Sequence, residues 1–301
     1  MRKKKFRIGK IYMIIVRVMG GLGNQMFQYA FAINLQKLGH EVKLDSTYYK
    51  NIPSIDTKRK YGLDIFKCNI PLASKEEIEE YYNKYEVLKA KLRVLLPFLN
   101  GKIIFEKVFL NSNVLGKLKD KYYIGYWQNE NYFRTIRQEI LKDFSFDFEI
   151  VSSGTKNVLK NIYQVETSVS VHIRGGDYLN NINNKTYGNI CTKEYYLRAY
   201  DYFKNKYERV VFFVFSNDLK LAKEIFGTSN DNICYVDIGG EREDWEDMLL
   251  MTKCSHNIIA NSTFSWWGAW LNTNQNKEVV APLKWTNNSE YSPVCSEWIK
   301  I

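Results

Sequence analysis

Four short stretches of the 301-residue sequence combine residue types that can hold or move negative charge. The first is Gly20-Gly21-Leu22-Gly23-Asn24-Gln25, where closely spaced glycines precede a helical pattern. Glycine lets the backbone turn tightly and approach a ligand, and the first N–H groups of a helix favour an anion. Gly21, Gly23, Asn24 and Gln25 are its candidate ligand contacts. Gly21 and Gly23 also fit the dinucleotide fingerprint G-x-G-x-x-G up to its third position, which is Met26. Asp45 follows near the distance of a ribose-binding acid. The second stretch is Val171-His172-Ile173-Arg174-Gly175-Gly176-Asp177. Period-2 alternation puts His172 and Arg174 on one face of a strand. A guanidinium at that strand's carboxyl end can grip phosphate oxygens bidentately. Asp177 can pair with Arg174 or accept a proton.

The third stretch is Ala260-Asn261-Ser262-Thr263-Phe264-Ser265-Trp266-Trp267-Gly268. Helix capping accounts for one small polar residue there, not for four. Asn261, Ser262, Thr263, Phe264 and Ser265 are therefore read as a second phosphate cradle at a helix N-terminus. The fourth is Asp244-Trp245-Glu246-Asp247-Met248, whose acids either cap a helix or accept from a guanine edge. A P-loop, G-x-x-x-x-G-K-[ST], is absent, which disfavours NTP hydrolysis. No D-x-D pair stands at a strand end, so cationic and dipolar groups would take the place of a metal. Together the four stretches suggest a nucleoside diphosphate held in a cleft between two domains.

The elements needed to position them are legible in part. Residues 11–18 read as a buried strand, 26–38 as a helix and 41–45 as a second strand, one βαβ unit. Residues 75–95 read as a charged helix. Further on, strands at 169–173, 210–215, 233–236, 257–260 and 279–281 alternate with helices around 196–203, 220–226, 245–253 and 264–271. Strands alternating with helices imply parallel sheets. The length suits two α/β domains, 1–155 and 156–301, and ligands then bind outside the carboxyl ends of the strands.

Composition narrows the class. An apolar fraction of 45% with 25% charged residues belongs to a folded globular chain. The net charge of +10 invites a nucleic-acid reading, supported by 15% aromatic content. Yet Arg2, Lys3, Lys4, Lys5, Arg7 and Lys10 carry six of those charges, leaving +4 elsewhere, where basic and acidic residues mix. No nucleic-acid partner is expected. The arm suits peripheral contact with an anionic membrane surface. Neither a membrane-spanning segment nor a signal peptide is expected. Cys68, Cys191, Cys234, Cys254 and Cys295 lack metal-ligand or framework spacing and read as free thiols in a reducing compartment.

Three blocks then acquire a joint meaning. Gly20-Gly21-Leu22-Gly23-Asn24-Gln25-Met26-Phe27-Gln28-Tyr29-Ala30, His172-Ile173-Arg174-Gly175-Gly176-Asp177-Tyr178 and Asn261-Ser262-Thr263-Phe264-Ser265-Trp266-Trp267-Gly268-Ala269-Trp270 resemble the signatures of bacterial α-1,2-fucosyltransferases, glycosyltransferase family eleven. Gly125-Tyr126-Trp127-Gln128 and Phe215-Ser216-Asn217-Asp218 resemble weaker blocks of that family. The blocks run in the family's order from residue 20 to about 285.

The resemblance implies a GT-B fold, two Rossmann-like domains facing a central cleft. It implies inverting, metal-independent transfer of L-fucose from GDP-β-L-fucose to the 2-hydroxyl of a terminal galactose in an oligosaccharide or surface glycan. GDP-fucose is then a substrate, and no cofactor is needed. A related donor such as GDP-colitose stays open. Arg174 matches an arginine that grips the pyrophosphate. His172 belongs beside the nucleotide, and Asn24 near the reacting sugar-phosphate. Ser262, Thr263 and Phe264 match residues that wrap the phosphates, and Asp247 resembles a guanine reader. Catalytic roles fall to Arg174, Asp177 and Asn24. Gly175 stands where the family usually has a second arginine, and activity is expected to survive that change. The protein is expected in the cytoplasm, peripheral to the inner membrane. An NAD- or FAD-binding oxidoreductase, using Gly21, Gly23 and Asp45, is the alternative.

Overall fold

The apolar run Met-Ile-Ile-Val opens β1 (Met13–Arg17). Gly20 and Gly21 turn the chain into helix α1 (Leu22–Lys37), which returns it to β2 (Glu41–Asp45), parallel to β1. These are features of a computed structural model that describes residues 12–53, 58–92, 101–106, 121–175, 181–237, 243–289 and 291–301. Asp177 and the basic arm lie outside the described residues. The chain divides into two units, Met1–Ser145 and Phe146–Ile301.

In the first unit, a Ser74–Glu77 capping box starts α2 (Lys75–Tyr81), and α3 (Lys84–Leu92) follows. Strands β3 (Ile103–Phe105) and β4 (Lys121–Ile124) and helix α4 (Arg137–Asp143) complete it. The sheet is parallel, in the order β2-β1-β4-β3. Helix α1 is buried almost all round, including the polar Gln25 and Gln28. The Phe31 ring stacks on Trp127 at 4.3 Å, worth about 0.5–1.5 kcal/mol beyond area burial.

The second unit opens with α5 (Ser153–Gln164), which leads into β5 (Thr167–Ile173). Then come α6 (Asn181–Tyr187), α7 (Lys193–Lys206), β6 (Val210–Ser216), α8 (Leu219–Phe226) and β7 (Ile233–Tyr235). They are followed by α9 (Asp244–Lys253), β8 (His256–Ile258), α10 (Thr263–Leu271), β9 (Val279–Ala281) and β10 (Ile299–Lys300). This sheet is also parallel, in the order β10-β9-β8-β5-β6-β7.

All seven residues of β5 are buried. Val169, Val171 and Ile173 pack with Tyr195, Tyr196, Ala199 and Phe203 of α7. The alternate positions are polar. Ser168 bonds Ser255, and Ser170 accepts from Asn257. His172 is the third member of that stripe.

The expected α/β class with parallel strands is the class observed. Among the described residues, no helix is long and apolar enough to cross a membrane. All five cysteines are free thiols. The single helix expected over 75–95 is two, α2 and α3, and helices α4, α5 and α6 and strands β3, β4 and β10 lie where the sequence reading places no element.

Candidate active site

Each sheet has a place where the chain leaves one flank and begins to fill the other, and such switch points open a crevice at the strands' carboxyl ends. In the second unit that place lies between β5 and β8, because β6 and β7 extend one side before the chain crosses to β8. Arg174 follows β5, and Asn261-Ser262 follows β8. In the first unit it lies between β1 and β4. The glycine turn follows β1, and Gly125-Tyr126-Trp127-Gln128 follows β4. The sequence blocks thus fall on both switch points.

At the end of β5, the His172 ring is 5.7 Å from the Phe264 ring. Burial, then the neighbouring Arg174 charge, pushes the His172 imidazole down to about 3. It is neutral at ordinary pH, 6% exposed, and its Nδ1 has no hydrogen-bond partner. Arg174 is half-exposed. Ser262, itself buried, opens α10 without a side-chain cap bond, as Glu243 does α9, whereas Ser152, Thr192 and Asp218 cap α5, α7 and α8. Thr263 and Phe264 are half-exposed in the first turn of α10. A guanidinium, a neutral imidazole and a helix N-terminus therefore share one switch point, a set suited to phosphate oxygens.

Two predicted contacts of this block face inward. Asn261 donates to Tyr187 O at 3.0 Å and Trp285 O at 3.2 Å, and accepts from the Cys191 thiol. Ser265 is fully buried and donates to Ser262 O and Ala260 O. Both brace the cradle from behind instead of lining it. In the fourth stretch, Asp244 is exposed and Asp247 half-buried in the first turn of α9. Glu246 is engaged elsewhere, accepting from the Ser152 N–H and hydroxyl.

At the first unit's switch point, Gly20 has a positive φ of 81°, and a Cβ there would lie 2.7 Å from Asn24 Nδ2. Gly21 has ordinary backbone and open space, and a Cβ there would meet only Arg59 Nε, at 3.9 Å. Asn24 is half-exposed and accepts from Gln128 Nε2 at 3.0 Å. Gly23 is buried in the first turn of α1. Gln25, predicted as a ligand contact, is instead a structural staple. It donates to Gly20 O and Lys60 O and accepts from Gly62 N–H, with no exposed surface.

Asp45 is likewise corrected. It is 1% exposed and accepts from Thr47 N–H at 2.7 Å and from the Tyr122 hydroxyl. A ribose cannot reach it, so the spacing behind the dinucleotide alternative reflects internal packing. The sequence reading did not single out Arg59, whose Nε lies nearest the open side of Gly21. Arg59 sits in an irregular stretch with no periodic signal.

Glycosyl transferase family 11 matches residues 2–301, almost the whole chain. The protein belongs to that family. Among relatives of this family 11 member, the α-1,2-colitosyltransferase of Escherichia coli is 34% identical over 298 residues, 96% of this chain and 98% of that one. The Escherichia coli O-antigen biosynthesis glycosyltransferase WbnK is 35% identical over 301 residues, 94% of this chain and 98% of that one. Galactoside α-(1,2)-fucosyltransferase 1 of Homo sapiens is 28% identical over 196 residues, 62% of this chain and 53% of that one. This family 11 member is a glycosyltransferase.

Proposed function

We propose that this glycosyltransferase moves L-fucose from GDP-β-L-fucose to the 2-hydroxyl of a terminal galactose, with inversion and without metal. The observation that carries the reading is the β5–β8 switch point, where Arg174, neutral His172 and the uncapped start of α10 converge. The names of the relatives, which specify α-1,2 linkages and O-antigen synthesis, support the linkage and a glycan acceptor. A GT-B arrangement of the two units belongs to the same reading.

The acceptor oxygen attacks fucose C1 as the bond from C1 to the β-phosphate oxygen breaks. GDP leaves with the electron pair of that bond. Arg174, Ser262, Thr263 and Phe264 stabilise the charge that gathers on the phosphates. His172 meets the nucleotide as a neutral imidazole, Asn24 faces the reacting sugar-phosphate, and Asp247 reads guanine. The acceptor proton passes to Asp177 as general base. Arg174→Ala should lower kcat by about 10²–10³ with the melting temperature unchanged; near-normal turnover overturns the assignment. Asp177→Asn should remove a limb of the pH–rate profile, and an unchanged profile clears Asp177 of the base role.

A second donor, GDP-colitose, is favoured by the 34% identity to a colitosyltransferase over nearly the full chain. Both sugars are 6-deoxyhexose-type units carried on GDP, so the same phosphate cradle serves either. Parallel assays with the two donors and a galactoside panel, followed by linkage analysis, separate them. No transfer from either donor overturns the proposal. We place the protein in the cytoplasm, with its basic arm against the inner membrane and with no nucleic-acid partner.

A further inference from the structure

Strands β5 and β6 pair in register as far as Ile173 opposite Ser216. Beyond that point the pairing continues by other means. Gly175 N–H donates to Asn217 Oδ1 at 2.9 Å, and Asn217 Nδ2 donates back to Gly175 O at 3.4 Å. One side-chain amide therefore holds both peptide groups of Gly175, as a neighbouring strand would.

The next residue closes the space beside this contact. A Cβ on Gly175 would lie 2.9 Å from Asp218 Cβ. The need for glycine here is one of room, because Gly175 is not among the residues with positive φ. Asp218 is itself fixed. Its Oδ1 accepts from Leu221 N–H at 3.0 Å as the cap of α8, and its own N–H donates to Ser216 Oγ at 2.9 Å. Residue 175 thus rests against a rigid floor with its peptide groups clasped by Asn217. Arg174 is the residue immediately before it.

We propose that Asn217 is a positioning residue that aims Arg174 by clamping the peptide that follows it. The inference rests on the donor reading given above. A catalytic guanidinium is useful only when its chain is held to a fraction of an ångström. In this chain Asn217 supplies that restraint on a loop where a bulkier residue 175 would not fit.

The test is calorimetric binding of GDP to the full chain and to Asn217→Ala, Arg174→Ala and the double variant. Asn217 is exposed, so the alanine variant should melt as the parent does. Asn217→Ala should weaken GDP binding roughly 3- to 10-fold, the range expected for losing one such clasp. In the Arg174→Ala background the same change should do nothing further, because Asn217 acts through Arg174. Unaltered GDP affinity in Asn217→Ala, or an equal loss in both backgrounds, overturns the proposal. Amide exchange at Gly175 supplies a measurement that needs no ligand: it should speed up in Asn217→Ala, and an unchanged rate removes the clamp. If the parent chain binds no GDP, the donor reading falls, while exchange at Gly175 still decides the clamp.

Discussion

The His172 and Phe264 rings meet with centroids 5.7 Å apart and planes tilted by 41°. This contact joins the strand that leads into Arg174 to the helix that opens at Ser262. The imidazole is buried at this contact, and burial, then the Arg174 charge, holds it neutral.

Acid should therefore destabilise the fold through His172. Its folded value, pushed down to about 3, lies below the value of about 6.5 for an unfolded histidine. The contribution is complete above about pH 6.5 and is lost as pH falls toward about 3, at up to about 1.4 kcal/mol per unit. Denaturant unfolding between pH 6.5 and 5 should steepen this way in the parent and less so in His172→Asn. Equal slopes in the two proteins would show that His172 does not sit buried and neutral.

The two glycines of the first turn should behave differently. Gly20→Ala meets both a left-handed backbone and Asn24, and should cost about 1–2 kcal/mol in unfolding free energy. Gly21→Ala has room and ordinary backbone, so the melting temperature should hold. A drop in transfer rate in a stably folded Gly21→Ala then reports a ligand passing close to that α-carbon. Full activity would move the ligand away from the turn.

Asp45 should matter to folding and not to any dinucleotide. Asp45→Ala leaves the Tyr122 hydroxyl and Thr47 N–H without their acceptor and removes negative charge beside Arg17. A loss of about 1–3 kcal/mol is expected from equilibrium denaturation, the penalty for leaving a buried donor unsatisfied. NAD should not raise the melting temperature of the parent chain. A clear thermal shift with NAD, and none with GDP, would reverse the reading of the glycine turn.

Chelation tests the metal-independent proposal. Arg174 and the start of α10 are cast as the counter-charge for the departing diphosphate, so transfer should persist in excess EDTA. Activity lost on chelation and restored by magnesium or manganese overturns that part of the mechanism.

The basic arm offers a separate measurement. Six cations attract an anionic bilayer by roughly 1 kcal/mol each near the surface. Deleting residues 1–10 should abolish sedimentation with phosphatidylglycerol vesicles while leaving transfer to a free oligosaccharide intact. Unchanged sedimentation returns the arm to a solvated tail.

Much of this architecture is legible before any coordinates. Alternation marks β5, a continuous apolar run marks β6 and helical spacing marks α7, and glycines and small polar residues punctuate the strand ends where the chemistry gathers. What escapes has physical reasons. Strand β4 has only four residues, two of them tyrosines, so it shows too little alternation to declare itself. Strand β10 has two residues and exists because β9 offers it an edge. Helix α5 follows an amphipathic pattern through Val158, Leu159 and Ile162, but lies where a domain boundary was expected. Among site residues, Gln25, Asn261 and Ser265 have ligand-binding chemistry and are occupied by backbone partners. Only the three-dimensional arrangement separates a polar group that faces a ligand from one that holds the wall behind it.

Gln28 shows how far such a wall can reach. Its amide accepts from Met19 N–H and donates to Gly125 O, both at 2.9 Å. The helix thereby contributes one rung to the ladder between β1 and β4, just past the point where their own rungs stop. The glycine turn and the Gly125–Gln128 turn are fastened to that rung from opposite sides. They should respond as a single body: a label or substitution at either turn will be felt at the other, whether or not a sugar nucleotide is bound.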